Sequence, residues 1–120
     1  MNFFVSVRNE HLNGHGFLFG GALLYWIDDF GGTAVSCEFS GRRFVTIGLT
    51  DVKFIKPINN GAVLCFNYTQ FKIGETSVTY KVNVTAVNYL ETEKTLAATA
   101  QITFVCVDNN NVKQAINKAC

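Results

Sequence analysis

Between Asn13 and Cys37 the chain reads NGHGFLFGGALLYWIDDFGGTAVSC. Four glycines (Gly14, Gly16, Gly20 and Gly21) fall within eight residues, and an apolar run of helical length follows. Leu23, Ile27, Phe30 and Ala34 recur three to four apart, which puts them on one face of a helix. Leu24, Val35 and Cys37 carry the apolar surface further round. The spacing therefore predicts a helix over residues 21–37 that is covered on nearly every side. Within it stand two adjacent acids, Asp28 and Asp29. An ionised carboxylate in a core is costly unless paired, so each acid needs a partner or a task. Gly31 and Gly32 lie in the same helix, where each costs about 1 kcal/mol against alanine. Their presence points to another backbone packing very close.

On either side the period changes from 3.6 to 2. Residues 3–7 read as a short strand and residues 8–19 as a loop rich in Asn, His and Gly. Ser40-Gly41 ends the helix. Residues 43–54 read as a strand, with Val45, Ile47 and Leu49 on one face and Val52 and Phe54 on the other. That slip in phase implies a bulge near Thr50-Asp51, or burial on both faces. Pro57 and Asn59-Asn60-Gly61 form a turn. Residues 62–73 are a second long strand, and Gly74-Glu75 is a tight hairpin connection. Over residues 76–88, Val78, Tyr80, Val82, Val84 and Ala86 alternate with Thr79, Lys81, Asn83 and Thr85. Glu91 to Lys94 is a polar turn. Over residues 95–107 the alternation runs through Leu96, Ala98, Ala100, Ile102 and Phe104. The polar tail, residues 108–120, has room for one short helical turn.

No repeat or linker interrupts residues 1–120, so a single domain is expected. A long antiparallel sheet needs cover on its inner face, and the helix is the one candidate to supply it. The fold class is then α+β, a curved antiparallel sheet of about five strands wrapped round one long central helix. Order and period alone lead to this hot-dog architecture. In a single copy the sheet edges and the second side of the helix stay uncovered. A dimer with a continuous sheet cures both.

With 48% apolar residues and 11 Phe, the chain can fill such a core. Its net charge is +1 with no block of like charge, which argues against nucleic acid, whose phosphates select a basic face. Arg42-Arg43 and the cluster Lys53, Lys56 read as solvated surface before they read as anion sites. Cys37, Cys65, Cys106 and Cys120 are scattered, with no CxxC and no His at zinc spacing. They read as reduced thiols in a cytoplasmic protein with no metal site. The N-terminus lacks a basic n-region and is too short in apolar residues for a signal peptide. No run approaches the roughly 20 apolar residues of a membrane span. The glycosylation-like triplets at Asn67 and Asn83 fall in strands and carry no meaning without secretion.

Residues 7–29, VRNEHLNGHGFLFGGALLYWIDD, resemble the bacterial acyl-CoA thioesterases of the hot-dog superfamily, short-chain hydrolases related to the cytosolic brain-type enzyme. The shared pattern is an Asn, two residues, a Gly, two residues, Phe-Gly-Gly, then an acid seven positions after the second Gly. Asn13, Gly16, Phe19, Gly20, Gly21 and Asp28 fill every slot. The likeness continues through residues 43–58, where Phe54 and Pro57 match, and residues 74–78, where Thr76 and Ser77 match. It spans most of residues 7–107. Asn9 departs where a proline is common, and Phe17 where a small polar residue is common. The resemblance implies hydrolysis of acyl-CoA to CoA and a fatty acid, with no cofactor beyond the CoA of the substrate. It also implies a homodimer at least, enlarged to a tetramer or to a hexamer built as a trimer of dimers. In that family the Asn and the Asp of one site come from different subunits.

On the residues, Asp28 is the candidate to act as general base on water or to attack the thioester carbonyl itself. Gly20 and Gly21, where the helix begins, offer free N–H groups and the helix dipole to a developing oxyanion. Asn13 can orient the water or polarise the carbonyl through its amide. By resemblance, Thr76 and Ser77 touch the pantetheine arm; by resemblance and charge, Arg43 meets a CoA phosphate. Each assignment has a plainer alternative. Asp28 can be a buried acid satisfied by backbone or Arg, and Asn13 a turn cap. The glycines can be a tight start to the helix, Thr76 and Ser77 ordinary strand residues, and Arg43 solvated surface. Asp29, about 100° round the helix from Asp28, is expected to make a structural or interface contact. His11 and His15 are expected to make loop contacts, and Tyr25 and Trp26 to pack in the core or an interface. Two other functions stay open. One is a hot-dog hydroxyacyl dehydratase pairing His11 or His15 with Asp28, although the His-Phe-Pro type loop is missing. The other is a non-catalytic acyl-CoA-binding sensor or scaffold.

Overall fold

In a computed structural model, residues 1–116 are described; residues 117–120, the end of the polar tail with Cys120, lie outside them. Strands β1 (Asn2–Ser6), β2 (Arg43–Phe54), β3 (Val63–Ile73), β4 (Ser77–Val87) and β5 (Thr95–Val107) accompany one helix, α1 (Gly20–Glu38). The strands form one antiparallel sheet in the order β1-β3-β4-β5-β2. A 3₁₀ turn, Asn9–His11, interrupts the loop before α1. Strict alternation builds the inner face. Val78, Tyr80, Val82, Val84 and Ala86 of β4 are all buried, as are Leu64, Phe66 and Tyr68 of β3 and Ala98, Ala100, Ile102 and Phe104 of β5. The helix covers them with Leu23, Trp26, Ile27, Gly31, Ala34 and Val35. This is the expected hot-dog arrangement.

Four details differ from the sequence pattern. First, α1 is buried along one stripe only within a single copy. Tyr25, Asp28, Asp29, Thr33, Ser36 and Cys37 are exposed on its other side. Second, within one copy the atoms nearest to Gly31 are side chains rather than a second backbone, and Gly32 is open. A Cβ on Gly31 would meet side chains, with Phe104 Cζ at 3.0 Å and Ile102 Cδ1 at 3.3 Å, whereas a Cβ on Gly32 would meet nothing within 4 Å.

Third, β2 carries two register shifts. The one between Thr50 and Lys53, where Asp51 takes φ 52°, is the expected bulge. The other, between Thr46 and Gly48, has no signature in the apolar pattern. It turns Val45 and Ile47 outward while Leu49 packs on the core, so these three do not share a face. A shift beside Val84 of β4 likewise exposes Leu96 and buries Ala97. Fourth, residues 108–116 form no helical turn. Asp108 Oδ1 accepts the N–H groups of Asn110 and Val112, and the chain doubles back to bury Ile116. Among the described residues, no helix is long and apolar enough to cross a membrane.

Candidate active site

Asp28 projects from the uncovered side of α1 toward β2. Its Oδ1 accepts a hydrogen bond from Thr46 Oγ1 at 2.7 Å. Thr46 reaches it because the alternation before the bulge points Thr46 inward and Val45 outward. Asp28, Asp29, Gly32, Thr33, Ser36 and Thr46 line one open cleft, floored by Val35 and Phe104. The acid is therefore a half-solvated carboxylate with one oxygen held, not a buried charge.

Gly20 and Gly21 open α1 behind Phe19, which is extended at φ −68°, ψ 130°. The N–H groups of Ala22 and Leu23 bond to Phe19 O. No side chain caps the helix. The Gly20 and Gly21 N–H groups therefore have no partner among the described residues. They are donors at the positive end of a helix, fit to hold an anion. The two positions differ in the room they leave. A Cβ on Gly20 would stand 3.4 Å from the ring of Phe54, and one on Gly21 would collide with the ring of Phe19. An apolar slot opens beside Gly20, lined by Phe17, Leu18, Leu23, Phe54, Ile58 and Ala97.

Asn13 organises the loop that leads into α1. Its Oδ1 accepts the N–H of His15 at 2.8 Å and of Phe17 at 3.2 Å. Its own N–H donates to Phe17 O at 2.7 Å. The turn-cap role is thus present, and Nδ2 is left without a partner among the described residues. Asn13 lines neither the Asp28 cleft nor the slot.

The remaining expectations separate in space. Arg43 pairs with Val107 across the β2–β5 ladder, and Thr76 O accepts the N–H of Cys106. Arg43 and the Thr76-Ser77 pair thus flank the end of β5, and none of them lines the Asp28 cleft. Thr46 lies three positions beyond Arg43, about 10 Å along a strand. His11 is engaged in the loop. Its Nδ1 accepts the Arg8 N–H at 3.0 Å, and its ring meets Trp26 at 4.7 Å. Trp26 is core, whereas Tyr25 is 66% exposed on the free side of the helix. Thr46 is a residue of the cleft that the alternation of β2 did not point to. Its signal was hidden, because the second bulge reverses the inside and outside of β2. Among the described residues, no three His, Cys, Asp or Glu side chains converge on a metal-sized site.

Residues 15–92 match the Thioesterase superfamily. An uncharacterised acyl-CoA thioester hydrolase of Haemophilus influenzae is 34% identical over 107 residues, covering 87% of this chain and 69% of the relative. A second such protein, from Bacillus subtilis, is 34% identical over 98 residues. The match covers 82% of this chain and only 56% of the Bacillus protein. Among solved structures, a hexameric hot-dog fold thioesterase of Campylobacter jejuni superposes with a TM-score of 0.85 at 29% identity. That superposition covers 96% of this chain and 88% of the other.

Proposed function

Because the chain belongs to the thioesterase superfamily, we propose that it is an acyl-CoA thioester hydrolase whose catalytic centre is completed by a second copy of itself. The observation that carries this is the spacing along α1. Asp28 lies eight residues beyond Gly20, which is about 12 Å along the helix axis. No single thioester carbonyl meets both within one chain. Two helices antiparallel about a two-fold axis near Leu24, midway between residues 20 and 28, set each Gly20 against the other copy's Asp28. The edge strand β2 invites that arrangement. It lies at the end of the sheet with Val45, Ile47 and Phe54 exposed, and pairing it with its copy closes the edge. The same interface brings Asn13 from the second copy, with its Nδ2 free to donate. Relatives that assemble as hexamers support further association of such dimers.

The chemistry then needs no metal or redox group. With Oδ1 of Asp28 held by Thr46, Oδ2 takes the proton of a water, and the water oxygen attacks the thioester carbon. The carbonyl oxygen becomes negative and is held by the Gly20 and Gly21 N–H groups of the second copy. The carbon–sulfur bond breaks, the CoA thiolate recovers the proton from Asp28, and the carboxylic acid departs. The apolar slot beside Gly20 suits the acyl group. Arg43, Thr76 and Ser77 lie on the side assigned to the phosphates and pantetheine of CoA. Attack by Asp28 itself is the alternative route. A single turnover in ¹⁸O water separates the two, since the general-base route puts the solvent oxygen in the first product.

We assign the reaction to the cytoplasm, on scattered cysteines of which Cys37 and Cys65 are thiols. The test is thiol release from a panel of acyl-CoAs. Asp28→Ala should be at least about 100-fold slower, within the usual range for acid–base catalysis. A wild type that binds CoA but turns over no faster than Asp28→Ala would make the protein a sensor. Double-bond absorbance without thiol release would make it a dehydratase.

A further inference from the structure

Tyr68, on β3, is 4% exposed, and its hydroxyl donates to Ile27 O at 2.6 Å. Ile27 immediately precedes Asp28. Its carbonyl is also the one that the Gly31 N–H addresses in a regular helix. Tyr68 therefore grips α1 by its backbone at the step that carries Asp28. The ring is fixed in turn by edge contacts with Phe3 at 5.6 Å and Tyr80 at 6.4 Å. Gly31 lies beside the same ring: a Cβ there would touch Tyr68 Cε2 at 3.4 Å and crowd Phe104 Cζ at 3.0 Å. Burial holds this phenol protonated far above its ordinary range, and the charges of Asp28 and Asp29 add to the effect. The hydroxyl thus stays a donor at every pH at which the protein works.

We infer that Tyr68 is a positioning residue for Asp28, fixing the rotation and height of the helical turn that presents the carboxylate. The inference rests on the assignment of Asp28 as the base. Two anchors from the sheet then converge on one residue. Thr46 of β2 holds the carboxylate and Tyr68 of β3 holds the peptide before it. Losing the second leaves Asp28 able to drift by a fraction of an ångström, enough to misalign the attacking water.

The structure supplies a matched control. Tyr80 is 3% exposed, and its hydroxyl donates to Glu38 Oε1 at the far end of α1. That is ten residues beyond Asp28, about 15 Å along the axis. Tyr68→Phe and Tyr80→Phe each remove one buried hydroxyl that ties α1 to the sheet. Both should lower the melting temperature. Only Tyr68→Phe should lower kcat, by about tenfold with KM moved less than about twofold, the pattern of a misplaced base. Incorporation of 4-aminophenylalanine at position 68 keeps a donor on the same ring and should restore kcat. The inference is overturned if Tyr68→Phe retains wild-type kcat, if Tyr80→Phe loses as much, or if 4-aminophenylalanine fails to rescue. A Tyr68→Phe chain that does not fold at assay temperature also overturns it, since the hydroxyl would then serve the fold at large. The reading beneath it fails separately, if Asp28→Asn hydrolyses acyl-CoA at the wild-type rate.

Discussion

Thr46 and Asp28 are 18 residues apart in the chain and 2.7 Å apart in space. The hydroxyl donates to an anion in an open cleft, where such a bond both fixes the carboxylate and takes one of its oxygens out of competition for the substrate's water. Thr46→Val keeps the shape and removes the donor. We expect kcat to fall about tenfold, the low end for a hydrogen bond to a charged group, with KM unchanged. Steady-state kinetics on one good acyl-CoA checks this. A KM effect instead would make Thr46 a substrate contact. Asn13 shows the same economy in one side chain. Its Oδ1 builds the loop and its Nδ2 stays available, so the turn-cap role and the catalytic role do not exclude one another.

At the scale of the helix, two neighbouring glycines have opposite reasons to exist. Gly31 faces the sheet, where a methyl group would press on Phe104 at 3.0 Å and Ile102 at 3.3 Å. Gly32 faces the cleft and meets nothing within 4 Å. Alanine at Gly31 gains helix propensity but must displace packed side chains, so it should destabilise by about 1–3 kcal/mol. Alanine at Gly32 has only the propensity gain and should stabilise the fold by up to about 1 kcal/mol. Urea midpoints of Gly31→Ala and Gly32→Ala should move in opposite directions. If both fall, the uncovered face of α1 is closely packed in the assembled protein, and Gly32 belongs to that contact.

For the whole molecule, the question is whether one copy suffices. If the site is shared, a chain lacking Asn13 and a chain lacking Asp28 complement each other. Co-expressed in equal amounts, Asn13→Ala and Asp28→Ala chains form heterodimers in half of the dimers, each with one intact site. Activity should recover to about a quarter of wild type, while each variant alone stays nearly dead. No recovery in verified heterodimers would mean that both residues serve a site within one chain.

The sequence by itself determined the element types and their order, the inner face of β4, and the Asn13-to-Asp28 segment to which we assign the chemistry. These are local properties: a period of 2 or 3.6, a glycine where a helix starts, an acid at a set distance beyond it. It did not determine how β2 faces. The bulge between Thr46 and Gly48 depends on which residues β5 presents across the ladder, so Val45 and Ile47 turn out and Thr46 turns in. Nor did it reveal that a half-uncovered helix leaves Asp28 exposed, with one carboxylate oxygen held by Thr46 of β2. Those contacts join residues far apart in the chain, and only the packed sheet brings them within bonding distance.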